Sequence, residues 1–179
     1  MLPMLGAHHQ EPPVNLAALV ESHAAGIFRY LRSMVGDADV ARDLAQETFL
    51  KLHAHAGGAG AALVFTVARS CALDHLRRQR VRRGHETAAA EQLVSAAPAP
   101  ESCRPDRDLE NRQLRDDLLA ALAILPEDQR SVFHLSEIEG LSYREIGVIL
   151  EVSPGTIASR KHHAVRKLRE SLRRRGHGA

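Results

Sequence analysis

Apolar side chains recur at three- and four-residue intervals along most of the chain, and no segment alternates in the two-residue period of a strand. An apolar stripe over 16–34 predicts a first helix, which Gly36 and Asp37 end. A second stripe over 40–52 and a third that starts near Ala61 predict two more helices. The first part of the chain is therefore a block of three helices.

Residues 84–106 lack this periodicity and are rich in Ala and Pro, which predicts a linker. Helical spacing returns afterwards, in one helix through Leu114 and Leu125 and in another that opens at Pro126 and ends at Gly140. We predict an all-α fold: two small helical domains joined by a flexible linker, the second a helix-turn-helix domain. The predicted division of the chain is a flexible tail at 1–14, a first domain at 15–83, the linker at 84–106 and a second domain at 107–175.

The helix-turn-helix is predicted at 141–163, LSYREIGVILEVSPGTIASRKHH. Ser142 is placed to cap a helix over 143–150, and Glu145 completes a capping box. After a turn at 151–152, Ser153 caps again and Pro154 occupies the first helical position, where a missing N–H costs nothing. The second helix is expected to expose short donors and basic groups suited to phosphates and guanine edges in a major groove, namely Thr156, Ser159, Arg160 and Lys161.

Composition narrows the function classes. No run approaches the roughly 20 apolar residues that a membrane span needs, and the start has no basic lead for a secretory signal, so we expect a cytoplasmic protein without membrane insertion. Two cysteines, Cys71 and Cys103, form no disulfide framework and are expected as free thiols. With 3% aromatic residues and no Trp, the chain is poorly suited to base stacking of the RNA-recognition type.

Net charge is only +2, but the basic residues are concentrated in two segments. Six arginines lie between Arg69 and Arg83 against the single acid Asp74, and the segment from Pro154 onward is also basic. Six arginines exceed what a helix C-terminal dipole needs, so we interpret the first segment as a phosphate-contacting surface. Two separate basic segments predict two contacts with a polyanion.

The second predicted helix carries the motif DLAQETFL, in which 43, 46, 47 and 50 fall on one face opposite the apolar stripe. This face combines two carboxylates, an amide and a leucine, and so suits a protein partner that bears arginines: Asp43, Gln46, Glu47 and Leu50. No pocket or nucleophile is expected nearby, which argues against a catalytic role for the carboxylates.

Taken in order, the motifs DLAQETF, ARSCALDHLRR, LPEDQRSVF, GLSYREIG and GTIASR resemble those of the extracytoplasmic-function group of bacterial RNA polymerase sigma factors. The resemblance covers about 19–83 and 109–172. It implies a non-catalytic specificity subunit without a cofactor, which directs core RNA polymerase to promoters and takes part in −35 and −10 recognition and promoter melting. It also implies an anti-sigma factor as a partner.

The resemblance assigns roles to residues. The domain 2-like part would bind the clamp helices of the polymerase largest subunit through Asp43, Gln46, Glu47 and Leu50, and the second domain would meet the polymerase flap. The −10 element would be held by Arg69, Asp74, Arg77, Arg78 and Arg80. The domain 4-like part would read the −35 element through Ser153, Thr156, Ser159, Arg160, Lys161, His163, Arg166 and Lys167.

Several positions depart from the family pattern. Arg42 stands where Glu is usual, and Ser70 replaces an Asn. His53 and Leu63 stand where Trp is common, and the loop between them is short and made of Gly, Ala and His. In the recognition helix, residues that are usually basic or apolar are replaced by Ala158, Lys161, His163 and Val165. These changes predict an unusual −35 sequence, because each base-reading side chain contributes about 1–3 kcal/mol of discrimination.

Two alternatives stay open at this point. The chain could be a stand-alone helix-turn-helix regulator that binds operators without polymerase. It could also be a metal-responsive binding protein that uses His53 and His55 of the short loop, although no complete ligand set converges in sequence. The face at 43–50 distinguishes the first alternative from a polymerase subunit, because only a polymerase subunit needs this face to bind a protein partner.

Overall fold

The computed structural model describes residues 16–54, 60–86 and 116–175, and this part of the chain contains helices and no strands. A π-helical turn at His134–Ile138 continues the fifth helix. The all-α prediction is confirmed. The helices are α1 (Leu16–Val35), α2 (Ala38–Ala54), α3 (Ala61–Glu86), α4 (116–123), α5 (Glu127–Phe133), α6 (Tyr143–Leu150) and α7 (Pro154–Arg174).

Helices α1, α2 and α3 form an N-terminal unit. Gly36 ends α1 with a φ of 82°, a left-handed conformation that glycine adopts without steric cost. Asp37 then caps α2, since its Oδ1 accepts hydrogen bonds from the backbone N–H groups of Asp39 and Val40 at 2.8 and 3.0 Å. Helix α3 continues to Glu86, three residues beyond the predicted boundary at Arg83.

Helices α4 to α7 form a C-terminal unit that contains the predicted helix-turn-helix. Ser142 caps α6 in a capping box with Glu145, as the sequence predicted, and Ser153 caps α7 with Pro154 in its first turn. The turn places Glu151 in the left-handed region with a φ of 55°. Gly147 lets the turn pack closely, because a Cβ at this position would lie 3.0 Å from the Val152 carbonyl oxygen.

The two units pack against each other and share one apolar core, which the prediction of two tethered domains did not include. Buried side chains of α1 and α3 lie in the same cluster as buried side chains of α5, the π-helical turn, α6 and α7. A smaller cluster joins α4 to α7 within the C-terminal unit through Leu122, Leu125, Ala164 and Leu168. Of the predicted linker at 84–106, residues 84–86 belong to α3, and residues 87–106 lie outside the described residues. The shared core has these C-terminal members: Val132, Leu135, Ile146, Ile149, Leu150 and Ile157.

Candidate functional site

The predicted protein-binding face of α2 lies at the surface. Asp43 and Gln46 are exposed, and Leu50 is 72% exposed, so this face combines polar groups with accessible apolar area. Glu47 is half-buried and forms an ion pair of 2.8 Å with Lys51, which raises the pKa of that lysine. Opposite this face, Leu44 and Leu52 are buried, so one helix carries a core stripe and an accessible mixed patch.

The end of α3 is a basic surface. Arg77, Arg78 and Arg80 are exposed, whereas Arg69, nearer the core, is half-buried. Asp74 is exposed and forms an i,i+4 ion pair of 3.4 Å with Arg78. With one aspartate among several guanidinium groups, this surface is suited to a phosphate backbone.

The start of α7 presents a second surface of polar and basic groups. Ser153 uses its hydroxyl as a cap: its Oγ accepts from the Thr156 N–H at 3.2 Å and lies 3.0 Å from the Thr156 Oγ1. Ser159, His163 and Arg166 are exposed. These three side chains are accessible to solvent, and Lys167 beside Arg166 is half-buried.

Thr156, Arg160 and Lys161 were expected to be exposed, and this expectation was wrong because all three are half-buried. Acidic residues of the same unit bind the two basic side chains: Arg160 Nη2 lies 2.7 Å from Asp128, and Lys161 Nζ lies 2.5 Å from Glu137. Lys161 also lies 5.6 Å from the centre of the Tyr143 ring, a cation–π distance. The hydrogen bond to Glu137 raises the pKa of Lys161, which therefore stays charged.

Sequence reasoning missed the acidic groups that face these basic surfaces. Glu127 binds Arg80 of α3, across the boundary between the two units, while the next residue, Asp128, binds Arg160 of α7. These pairings join residues far apart in sequence, so no local spacing could have found them. The sequence analysis named Arg166 but missed the three other members of the exposed basic stripe along α7, although their spacing of three and four residues was readable: His162, Arg169 and Arg173.

In the part of the chain that the structure describes, no three His, Cys, Asp or Glu side chains lie close enough together to bind a metal ion. His53 is exposed at the end of α2, and His55 lies outside the described residues. Cys71 is a free, buried thiol, 3.5 Å from the Lys51 Nζ, and Cys103 also lies outside the described residues. Among the described helices, none has the length and apolar character to cross a membrane.

Comparison with known sequences matches both units to one family. The family model of sigma-70 region 2 matches residues 19–82, and that of sigma-70 region 4 matches residues 115–168. The chain is 36% identical over 168 residues to the ECF RNA polymerase sigma factor SigL of Mycobacterium tuberculosis, with 90% of each chain covered. It is 37% identical over 159 residues to the RNA polymerase sigma factor CarQ of Myxococcus xanthus, with 86% of this chain and 87% of the relative covered.

A solved structure shows the same fold. The sigma factor RpoE of Bartonella quintana, in complex with the anti-sigma factor NepR, superposes with a TM-score of 0.71 at 24% identity. The match covers 89% of this chain and 97% of that one. Both units are included in that coverage, so the arrangement of helices in this chain is one that a known protein adopts.

Proposed function

Because the chain belongs to the extracytoplasmic-function group of RNA polymerase sigma factors, we propose that it divides polymerase binding, −10 recognition and −35 recognition among three separate surfaces. The chain is an alternative sigma factor that directs RNA polymerase in transcription initiation. The observation that carries the division is that α2 presents an acidic and apolar face, while α3 and α7 each present a basic one.

The face of α2 is the proposed polymerase contact. Asp43 and Glu47 offer carboxylates to arginines, and the exposed Leu50 supplies apolar area at the same patch, with Gln46 between them. A patch of this kind fits the clamp helices of the largest subunit, provided that these present complementary basic and apolar groups. The C-terminal unit would contact the polymerase flap.

The two basic surfaces are the proposed promoter contacts. The end of α3, through Arg69, Asp74, Arg77, Arg78 and Arg80, holds the −10 element as the strands separate. The start of α7 enters the major groove of the −35 element, where Ser159, His163 and Arg166 are already exposed and Arg160 and Lys161 become available when their acidic partners release them. Binding at two points makes the affinity for a promoter greater than that of either unit.

In this proposal the chain acts in the cytoplasm. It needs no cofactor and carries out no chemical step of its own, because the catalytic site belongs to the core enzyme. An anti-sigma factor is a further proposed partner, supported by the fold shared with a sigma factor solved in complex with one. The domain division at 15–83 and 107–175 is likewise proposed, with the described end of α3 at Glu86 as a refinement of the first boundary.

In vitro transcription with purified core polymerase on a genomic library tests the function and yields both promoter elements when the start sites are mapped. The Asp43→Arg/Glu47→Arg variant is expected to lose these transcripts while it retains its far-UV circular dichroism spectrum. Asp39→Arg is the control for charge reversal on this helix, because Asp39 is an exposed carboxylate of α2 whose ion pair with Arg42 lies within the helix.

Transcription by the double variant at the wild-type level would exclude this face of α2 as the polymerase contact. Retention of transcription by Asp39→Arg is required, since a loss there would indicate a general charge effect of α2 and not a specific patch.

A further inference from the structure

One side of α7 carries arginines that no acidic side chain neutralises. They are exposed, and within the described ranges 16–54, 60–86 and 116–175 none of them forms an ion pair. They are called the arginine stripe from here on: Arg166, Arg169 and Arg173. Other cations of the same helix are neutralised, since Arg160 binds Asp128 and Arg174 binds Glu170. The arginine stripe is therefore a row of free positive charge, suited to an anionic ligand.

The arginine stripe continues the face that we propose to read the −35 element. At about 100° per residue, Ser159 and the three arginines fall within an arc of about 80° around the helix axis. Ile157, Ala164 and Leu168 are buried on the opposite side of α7. The start of α7 and the arginine stripe thus face the same way, and DNA bound at the first lies beside the second.

The stripe is longer than the groove is wide. At about 1.5 Å of rise per residue, Arg166 lies about 10 Å beyond Ser159 along the helix axis, and Arg173 lies about 21 Å beyond it. The major groove is about 12 Å wide, so a straight helix whose start lies in the groove leaves it near Arg166. The last two arginines of the stripe, Arg169 and Arg173, therefore lie beyond the groove wall.

Given the proposed role of the start of α7 in −35 recognition, on which this inference rests, we propose that Arg169 and Arg173 bind backbone phosphates next to the −35 element. The distance of about 10.5 Å from Arg166 to Arg173 equals the axial rise of about three base pairs of duplex. The contact carries no sequence information. It fixes the recognition helix in the groove and lengthens the promoter segment that the C-terminal unit covers.

The chemistry of this side of α7 favours a nucleic acid over an acidic protein as the ligand. Val165, the apolar side chain in the shallow groove along the stripe, is half-buried. Protein interfaces have an apolar core, whereas protein–DNA interfaces are polar and positively charged. Guanidinium groups also match phosphate with two parallel hydrogen bonds. Among the described residues, the exposed large apolar side chains all lie on other elements: Leu50, Val81, Ile124, Ile138, Tyr143 and Val148.

The first test measures the salt dependence of binding between the full chain and a fluorescent duplex by anisotropy. Arg169→Gln/Arg173→Gln removes both charges and keeps good helix formers at both positions. The slope of log K against log salt should fall by about 1.8, because each lost phosphate contact removes about 0.9. At about 0.1 M salt such a contact contributes about eightfold, so affinity should fall by about tenfold or more. An unchanged slope would overturn the proposal.

Arg42→Gln/Arg174→Gln is the matched control. It changes the net charge by the same amount, but each of these arginines is already bound by an acid of its own helix, Asp39 or Glu170. Its salt slope should equal that of wild type. A fall as large as in Arg169→Gln/Arg173→Gln would show a general charge effect and would overturn the stripe as a contact.

Arg169→Lys/Arg173→Lys tests whether charge is what matters. An ammonium group also binds phosphate, so this variant should retain most of the wild-type slope. A loss equal to that of the Gln variant, with the helical circular dichroism of all variants unchanged, would contradict a phosphate contact.

The position of the contact is tested with duplexes that carry the −35 element, as mapped by transcription with core polymerase. One flank at a time is shortened to the edge of the element. Loss of one of the two flanks should weaken wild type by about tenfold or more, since both contacts disappear with it. The same loss should leave Arg169→Gln/Arg173→Gln unchanged, because this variant has no contact there to lose. An equal effect on both proteins would overturn the proposal.

Failure of this inference and failure of the proposed function give different results. If the function is right and the stripe does not bind DNA, transcription maps a −35 element, and the Gln variant binds its duplex with the wild-type slope. Reduced transcription by that variant would then assign the stripe to an acidic protein. If the function is wrong, no promoter is mapped, and the slopes on a duplex of arbitrary sequence still report whether the stripe binds phosphates.

Discussion

Replacement of Arg130 by Met should destabilise the protein by about 3 kcal/mol. The Arg130 guanidinium donates hydrogen bonds to four carbonyl oxygens. Nη1 donates to Ser33 at 3.3 Å and Met34 at 2.8 Å, and Nη2 donates to Ala123 and Leu125, both at 2.9 Å. It thus joins the end of α1 to the end of α4, two helix termini whose carbonyl groups lack intrahelical partners. The cation also interacts favourably with the negative ends of both helix dipoles.

The magnitude follows from burial. Three of the four carbonyl groups belong to residues with almost no exposure: Ser33 at 5%, Met34 at 1% and Leu125 at 2%. Methionine has a similar length but no donor, so each buried carbonyl would lose its partner at about 1 kcal/mol or more, which gives about 3 kcal/mol in total. Part of the gross hydrogen-bond energy is already offset, because burial of the guanidinium lowers the pKa of Arg130 and disfavours its charged form.

Urea and thermal unfolding followed by circular dichroism measure this change. At about 2–4 °C per kcal/mol for a chain of this size, the midpoint should fall by about 6–12 °C. Arg130→Lys should fall between the two proteins, because an ammonium group keeps the charge but cannot reach both helix ends with a planar fork. A loss under about 1 kcal/mol in Arg130→Met would refute the view that this side chain connects α1 and α4.

Three further outcomes are expected. Ser142→Ala removes the α6 cap and should cost about 1 kcal/mol in urea unfolding, while Ser142→Thr should retain most of it. Gly147→Ala should cost about 1 kcal/mol net, because crowding against the Val152 carbonyl outweighs the gain in helix propensity, and should weaken binding of duplex DNA as α7 shifts, which fluorescence anisotropy would measure. Burial acts to raise the pKa of Glu139, but hydrogen bonds from His134 and Arg29 hold it below its usual 4.5. Since the folded-state pKa is lowered, the ionised Glu139 carboxylate stabilises the fold above about pH 4.5, and this contribution disappears as the pH falls through the folded-state pKa. The difference in thermal midpoint between wild type and Glu139→Gln should therefore shrink in acid. A difference that stays constant with pH would contradict this reasoning.

The helix-turn-helix could be predicted nearly to the residue because its signals are local. Ser142, Glu145 and Ser153 act on backbone groups within three residues, and Pro154 fits only the start of a helix. The accessible face of α2 was predictable for a related reason, since a helix with one apolar stripe must present its other residues to solvent. The π-helical turn at His134–Ile138 was not predicted, because its residues have the same apolar spacing as a continuing α-helix.

By itself, therefore, the sequence determined most of the helices, the caps of α6 and α7 and the family, and it predicted the side chains that we propose to contact polymerase and DNA. Only the tertiary structure decided that Arg80 and Arg160 meet neighbouring acids and that Glu139 docks on α1 beside Gly26. Buried Leu and Ile residues have the same pattern whether they face their own unit or another, so periodicity cannot tell one shared core from two. Ion pairs between distant residues depend on how the chain folds back on itself, and that information lies in the packing.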